Sequence, residues 1–168
     1  MITFRNAVGF LEKIADKHYM INSFHCGFMD EVDINKLGAT DYVILYAEPG
    51  TATIDKGVMT YNFTVYVLDM INNEDSVFQA NAVSEPILEK EGRTDALNEN
   101  LQILQDVINE FHQNLYSTSW VDDEVVLDLP INCEPFTARF DNLLTGWSAS
   151  ISMQVNNTNN LCIVPIDS

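Results

Sequence analysis

Lys90 to Tyr116, KEGRTDALNENLQILQDVINEFHQNLY, is the stretch whose reading decides the fold. Leu97, Leu101, Leu104, Ile108, Phe111 and Leu115 recur at steps of three or four residues, which places them along one face of a helix. Thr94 is the expected N-cap, and Asp95 sits in the first turn, where the helix dipole favours an acid. Upstream, Tyr61-Asn62-Phe63-Thr64-Val65-Tyr66-Val67-Leu68 alternates apolar and polar residues, the period of a strand buried on one side. The strand extends over Val58 to Asp69.

Working outward, Thr3 to His18 predicts a second amphipathic helix. Phe4, Val8, Leu11, Ala15 and His18 share a face, and Thr3 is its N-cap. Met20 to Phe28 reads as extended, and MDEVDINKLG as an acidic loop ending at Gly38. Asp41 to Ala47 is a strand. Glu48-Pro49-Gly50 reads as a turn, Thr51 to Ile54 as a short strand and Lys56-Gly57 as another turn. Residues 71–87 read as a mobile loop. Val125 to Leu129 is a strand, Pro130 and Pro135 bracket a loop around Cys133, and Phe136 to Phe140 can be a strand. Residues 142–146 read as a connection. Trp147 to Val155 alternates almost completely, with Trp147, Ala149, Ile151, Met153 and Val155 on one face and Ser148, Ser150, Ser152 and Gln154 on the other. Residues 161–168 form an apolar tail that docks on its own sheet or on a neighbouring subunit.

Short links between strands favour antiparallel pairing. The expected fold is α+β: a mostly antiparallel twisted sheet with two long helices packed on one face. With neither a repeat nor a linker, residues 1–168 read as a single domain.

Composition bounds the function. The chain of 168 residues is 46% apolar and 20% charged, as folded globular proteins are. No apolar run approaches the roughly 18 residues of a membrane span. The N-terminal residues lack the basic start and apolar block of a signal peptide, so a reducing cytoplasm is expected. Eight Lys and Arg against 25 Asp and Glu give a net charge of −17. Such a surface repels phosphate, so tight nucleic-acid binding is not expected. Net charge far from zero keeps copies in solution. It also suits a wall past which DNA must slide.

Chemistry-bearing motifs are sparse. Cys26, Cys133 and Cys162 are odd in number, with no CxxC pair and no zinc spacing. His25 and Cys26 are adjacent on an extended segment and therefore point to opposite faces. A catalytic pair would need His112 or another distant residue. Asp30-Glu31 with Asp33 lacks the central Gly and closing Glu of a calcium loop. Asp122-Asp123-Glu124 reads as a solvated acidic loop. No nucleotide-binding Gly motif or nucleophile elbow is present. His112 and Asn109 fall off the apolar stripe of the long helix. Tyr116 and Trp120 read as core residues or partner anchors. No catalytic, cofactor-binding or metal-ligating residue and no cofactor is assigned, and an enzyme is not expected.

Val67-Leu68-Asp69, the helix from Asn100 to Ile108, Thr145-Gly146-Trp147, and Leu161-Cys162 with Pro165-Ile166 occur in an order that resembles tailed-bacteriophage virion proteins. The resemblance runs from Tyr42 onward and is strongest to neck or tail-completion subunits of the tail-terminator type. It implies a structural subunit that forms a ring, of six or twelve copies, at the head–tail junction or tail end. Such a ring surrounds the DNA path without specific binding and docks to portal, connector or tail-tube proteins. It would be assembled in the bacterial host cytoplasm and reside in the virion, with no membrane involved. The alternatives are a stand-alone acidic protein-binding module or inhibitor, and a small enzyme using His25, Cys26, His112 or the Asp122 cluster.

Overall fold

The computed structural model describes residues 3–29, 41–70, 93–117, 125–137 and 144–156. In chain order the elements are α1 (Phe4–Lys17), β1 (Ser23–Cys26), β2 (Ile44–Ile54), β3 (Val58–Met70), α2 (Arg93–Ser117), β4 (Val125–Leu127), β5 (Cys133–Thr137) and β6 (Leu144–Asn156). The six strands form one sheet in the order β1-β2-β3-β6-β4, with β5 also lying along β6. Among the described residues only β1 and β2 pair in parallel, and every other pairing is antiparallel. The α+β class and the mostly antiparallel sheet are therefore as the sequence predicts.

The ladder between β3 and β6 is the spine of the sheet, running from Val58 opposite Asn156 to Met70 opposite Leu144. On one face Tyr61, Phe63, Val65 and Val67 of β3 join Ala149, Ile151, Met153 and Val155 of β6. Both helices pack on that face. Ala7, Leu11, Ile14 and Ala15 come from α1; Ile103, Leu104, Val107, Phe111 and Leu115 come from α2. Phe63 meets Phe111 edge-on, with ring centroids 6.0 Å apart. Residues that alternate along a strand and recur at three or four along a helix are thus buried in one layer between them.

Capping of α1 is as expected. The Thr3 hydroxyl accepts from the Asn6 N–H, and Asn6 Oδ1 accepts from the Thr3 N–H. Thr94 does not cap α2, which begins at Arg93 and so carries Thr94 inside its first turn. The buried arc of α2 is also turned from the expected stripe. Asn100, Ile103, Leu104, Val107, Phe111 and Leu115 are buried, while Leu97, Leu101 and Ile108 are half-buried on its flank. The helix touches the sheet and α1 together, so the inward arc is wider than a single line at three-four spacing.

Three turn readings are corrected. Glu48-Pro49-Gly50 does not turn the chain. β2 runs through it, and its register with β3 shifts between Pro49 and Ala52. The punctuation residues are used for a bulge, which bends the strand without ending it. A Cβ on Gly50 would lie 2.8 Å from the Asn62 carbonyl oxygen, and the Asn62 amide donates to the Thr51 carbonyl at 3.0 Å. Cys133 and Pro135 do not lie in a loop; they belong to β5, an edge strand among the described residues, where a missing N–H is tolerated. Residues 144–146 open β6 rather than connect to it. The reading of Lys56-Gly57 as a turn is met, with Gly57 at φ +88°. The expected loop at 71–87, the acidic loop from residue 30 and the tail at 161–168 lie outside the described residues.

The other sheet face divides in two. At one end Met29, Tyr42, Ile44, Tyr46, Leu68 and Leu144 form a small second cluster, with Tyr66 and Met70 against it. Beyond it β3 and β6 present Thr60, Asn62, Thr64, Ser148, Ser150, Ser152 and Gln154, none of them charged.

Candidate functional site

Two of the segments that carry the virion-protein resemblance meet in space, while Leu161-Cys162 and Pro165-Ile166 lie outside the described residues. Val67, Leu68 and Asp69 pair in register with Trp147, Gly146 and Thr145. Trp147 Nε1 donates to the Leu97 carbonyl oxygen of α2 at 2.8 Å. Gly146 has φ +155°, and a Cβ there would fall 1.8 Å from the Val67 carbonyl oxygen, so only glycine allows β3 and β6 to close at this point. Burial pushes the Asp69 carboxyl up, the Met70 N–H bond pulls it down, and the nearby Glu99 charge raises it further. Asn100 is fully buried, and neither amide atom finds a hydrogen-bond partner among the described residues. The arrangement is a structural joint in which strand, helix and late strand lock together.

A cleft of about 420 Å3 opens between the end of α1 and the middle of α2, lined by Lys17, His18, Tyr19, Asp106, Asn109 and Glu110 among others. His18 Nδ1 accepts from the Met20 N–H, which leaves Nε2 to face Asp106 Oδ2 at 3.5 Å. Tyr19 is 89% exposed and stacks on the His18 ring, with centroids 5.4 Å apart. Asp106 and Glu110 stand one helical turn apart on α2. Sequence reading missed this cleft because its residues come from two helices. The signal available was the large aromatic Tyr19 directly after an amphipathic helix.

On the opposite sheet face a second polar cluster forms. Glu48 Oε1 accepts from the Met29 N–H at 3.1 Å, and Oε2 accepts from the Tyr66 hydroxyl at 2.8 Å. The Tyr46 hydroxyl donates to the Phe28 carbonyl. These bonds hold the chain after β1 against the sheet.

The described residues weighed for catalysis come from separate elements. His25 and Cys26 end β1 and are exposed; His112 lies on α2. Cys26 and Cys133 share a row through Ala47, Val65 and Ala149, so four strand spacings, about 19 Å, part them. Burial pushes both thiols above their ordinary range, the opposite of an activated nucleophile. Among the described residues no group of three or more His, Cys, Asp or Glu is placed to hold a metal ion. Asp30, Glu31, Asp33, Trp120 and residues 122–124 lie outside the described residues, as does Cys162. No described helix is long and apolar enough to cross a membrane.

No protein-family model matches the chain, and no curated protein matches it in sequence.

Proposed function

We propose that this chain is a structural subunit of a bacteriophage virion, one that closes into a ring at the head–tail junction or tail end around the DNA path. The observation that carries the reading is the joint at Trp147. Val67-Leu68-Asp69 and Thr145-Gly146-Trp147, two of the segments that carry the resemblance to virion proteins, pair along one ladder, and Trp147 ties that ladder to the long helix at Leu97. Both helices cover one sheet face, and among the described residues the Ser, Thr, Asn and Gln side chains of β3 and β6 on the other face are offered for contact with other subunits. A net charge of −17 suits a wall that DNA must pass without sticking. Electron microscopy of the purified protein and of virions labelled with a specific antibody tests the proposal. Closed rings, or label confined to the neck or tail, support it; virions without label overturn it.

A second reading, an acidic module that binds a basic protein, is favoured by the α1–α2 cleft. Asp106 and Glu110 provide carboxylates beside the exposed Tyr19 ring, a combination that suits a guanidinium or ammonium side chain. Its measurement is a pull-down: recovery of a basic non-virion protein, lost on Tyr19→Ala, favours it over the ring.

A further inference from the structure

We propose that copies of this chain join edge to edge, with the outer edge of β2 in one copy pairing with the outer edge of β4 in the next. The inference rests on the ring reading and specifies its interface.

β1 covers only Ile44 to Ala47 of β2. From Glu48 to Ile54 the outer side of β2 has no strand partner among the described residues, and Gly50 to Ile54 are all exposed. At the far side of the sheet β4 pairs inward with β6 through Val125, Val126 and Leu127, and has no outer strand partner among the described residues. Unpaired N–H and C=O groups on such edges are templates for another strand.

The two edges match in level, direction and chemistry. One row crosses the sheet as Thr53, Thr60, Gln154 and Val126; the next crosses as Ile54, Met59, Val155 and Val125. Both free edges therefore lie at the same end of the sheet. β2 opposes β3, β3 opposes β6 and β6 opposes β4, so β2 and β4 run in opposite directions. A second copy placed alongside continues the antiparallel alternation with side-chain faces in phase. Ile54 is 73% exposed and Val126 is 51% exposed; Thr51 to Ile54 and Val125 to Leu127 are short uncharged runs suited to strands, bounded by Asp55 on one edge and by Glu124 and Asp128 on the other. In a chain of net charge −17, such uncharged runs are where copies meet with less repulsion than elsewhere on an acidic surface. β5 is a less suited edge, since Pro135 at its centre has no N–H to donate, whereas Ala52 to Ile54 and Val125 to Leu127 hold no proline. Because the two joined edges differ, the contact is heterologous, and it closes into a ring when the rotation per copy allows.

The test is disulfide trapping in the full chain with Cys26, Cys133 and Cys162 changed to Ser. Thr53→Cys and Val126→Cys are made separately and together, with Ala52→Cys and Val126→Cys as a second pair. Glu12→Cys on α1 is the collision control. Oxidation at millimolar protein is expected to yield mixed Thr53–Val126 dimers in several-fold excess over either like pair and over the control. The double variant is expected to give a ladder of multimers. Like-with-like Thr53 dimers, or no excess over the control for both pairs, overturn the inference. Closed rings by native mass spectrometry without these links sink the edge pairing and leave the ring reading intact. Links that build only open filaments sink the ring and leave the edge pairing intact.

Discussion

Trp147 Nε1 donates a hydrogen bond of 2.8 Å to the carbonyl oxygen of Leu97, tying the first turns of α2 to the start of β6 across 50 residues of sequence. The indole also packs on the main core. Phe keeps most of the ring and removes the donor, so Trp147→Phe isolates the bond and a little area. The expected loss is about 1 to 2 kcal/mol. Urea unfolding checks it; an unchanged midpoint means the bond contributes nothing to stability.

Gly146 and Gly9 make a contrasting pair. A Cβ on Gly146 falls 1.8 Å from the Val67 carbonyl oxygen, whereas one on Gly9 meets nothing within 4 Å. Gly146→Ala is expected to cost roughly 3 kcal/mol or more, because strand backbone must move apart. Gly9 lies inside α1, and Gly9→Ala is expected to stabilise by about 1 kcal/mol through helix propensity. Thermal melts of both variants settle the order; similar melting for the two removes the close-approach argument.

Asp69 sets a pH dependence. Burial raises its carboxyl in the folded state, with Glu99 adding to the rise. The folded protein therefore holds this proton to higher pH than the unfolded chain does. Stability falls as pH climbs from the ordinary carboxylate range through the raised value, and the cost is fully present above it. Asp69→Asn removes the charge and keeps an acceptor for the Met70 N–H. The variant is expected to be more stable than the parent at pH 7 and equal to it at pH 3. Unfolding curves at the two pH values measure this, and a variant weaker at pH 7 contradicts it.

Much of the fold was readable from period alone. Strand β3 from Tyr61 to Val67 and strand β6 from Ala149 to Val155 alternate, so each side chain there declares its face. The Thr3 cap was readable because a hydroxyl sits directly before an amphipathic helix. Misreadings fell where one residue type serves two backbone purposes. Pro49 and Gly50 signal a turn, yet an extended partner strand holds them in a bulge. Pro135 signals a break, yet an edge strand needs no N–H from it. The α1–α2 cleft was hidden because Tyr19 and Asp106 meet only after two helices pack, a long-range relation that no local pattern encodes.

The thiols supply the last prediction. Cys26 and Cys133 stand four strand spacings apart, so oxidation of the monomer cannot join them. Burial pushes each thiol up, which lowers the thiolate fraction at neutral pH below that of free cysteine. Alkylation by iodoacetamide at pH 7 is therefore expected to be several-fold slower at both sites than for glutathione. Cys26, the more exposed, is expected to react before Cys133. Both rates should keep rising with pH beyond the ordinary thiol range, because the thiolate is the nucleophile. Site-resolved mass spectrometry follows both rates in one sample. Faster labelling at pH 7 than free thiol at either position would reveal an activated cysteine and favour the enzymatic reading.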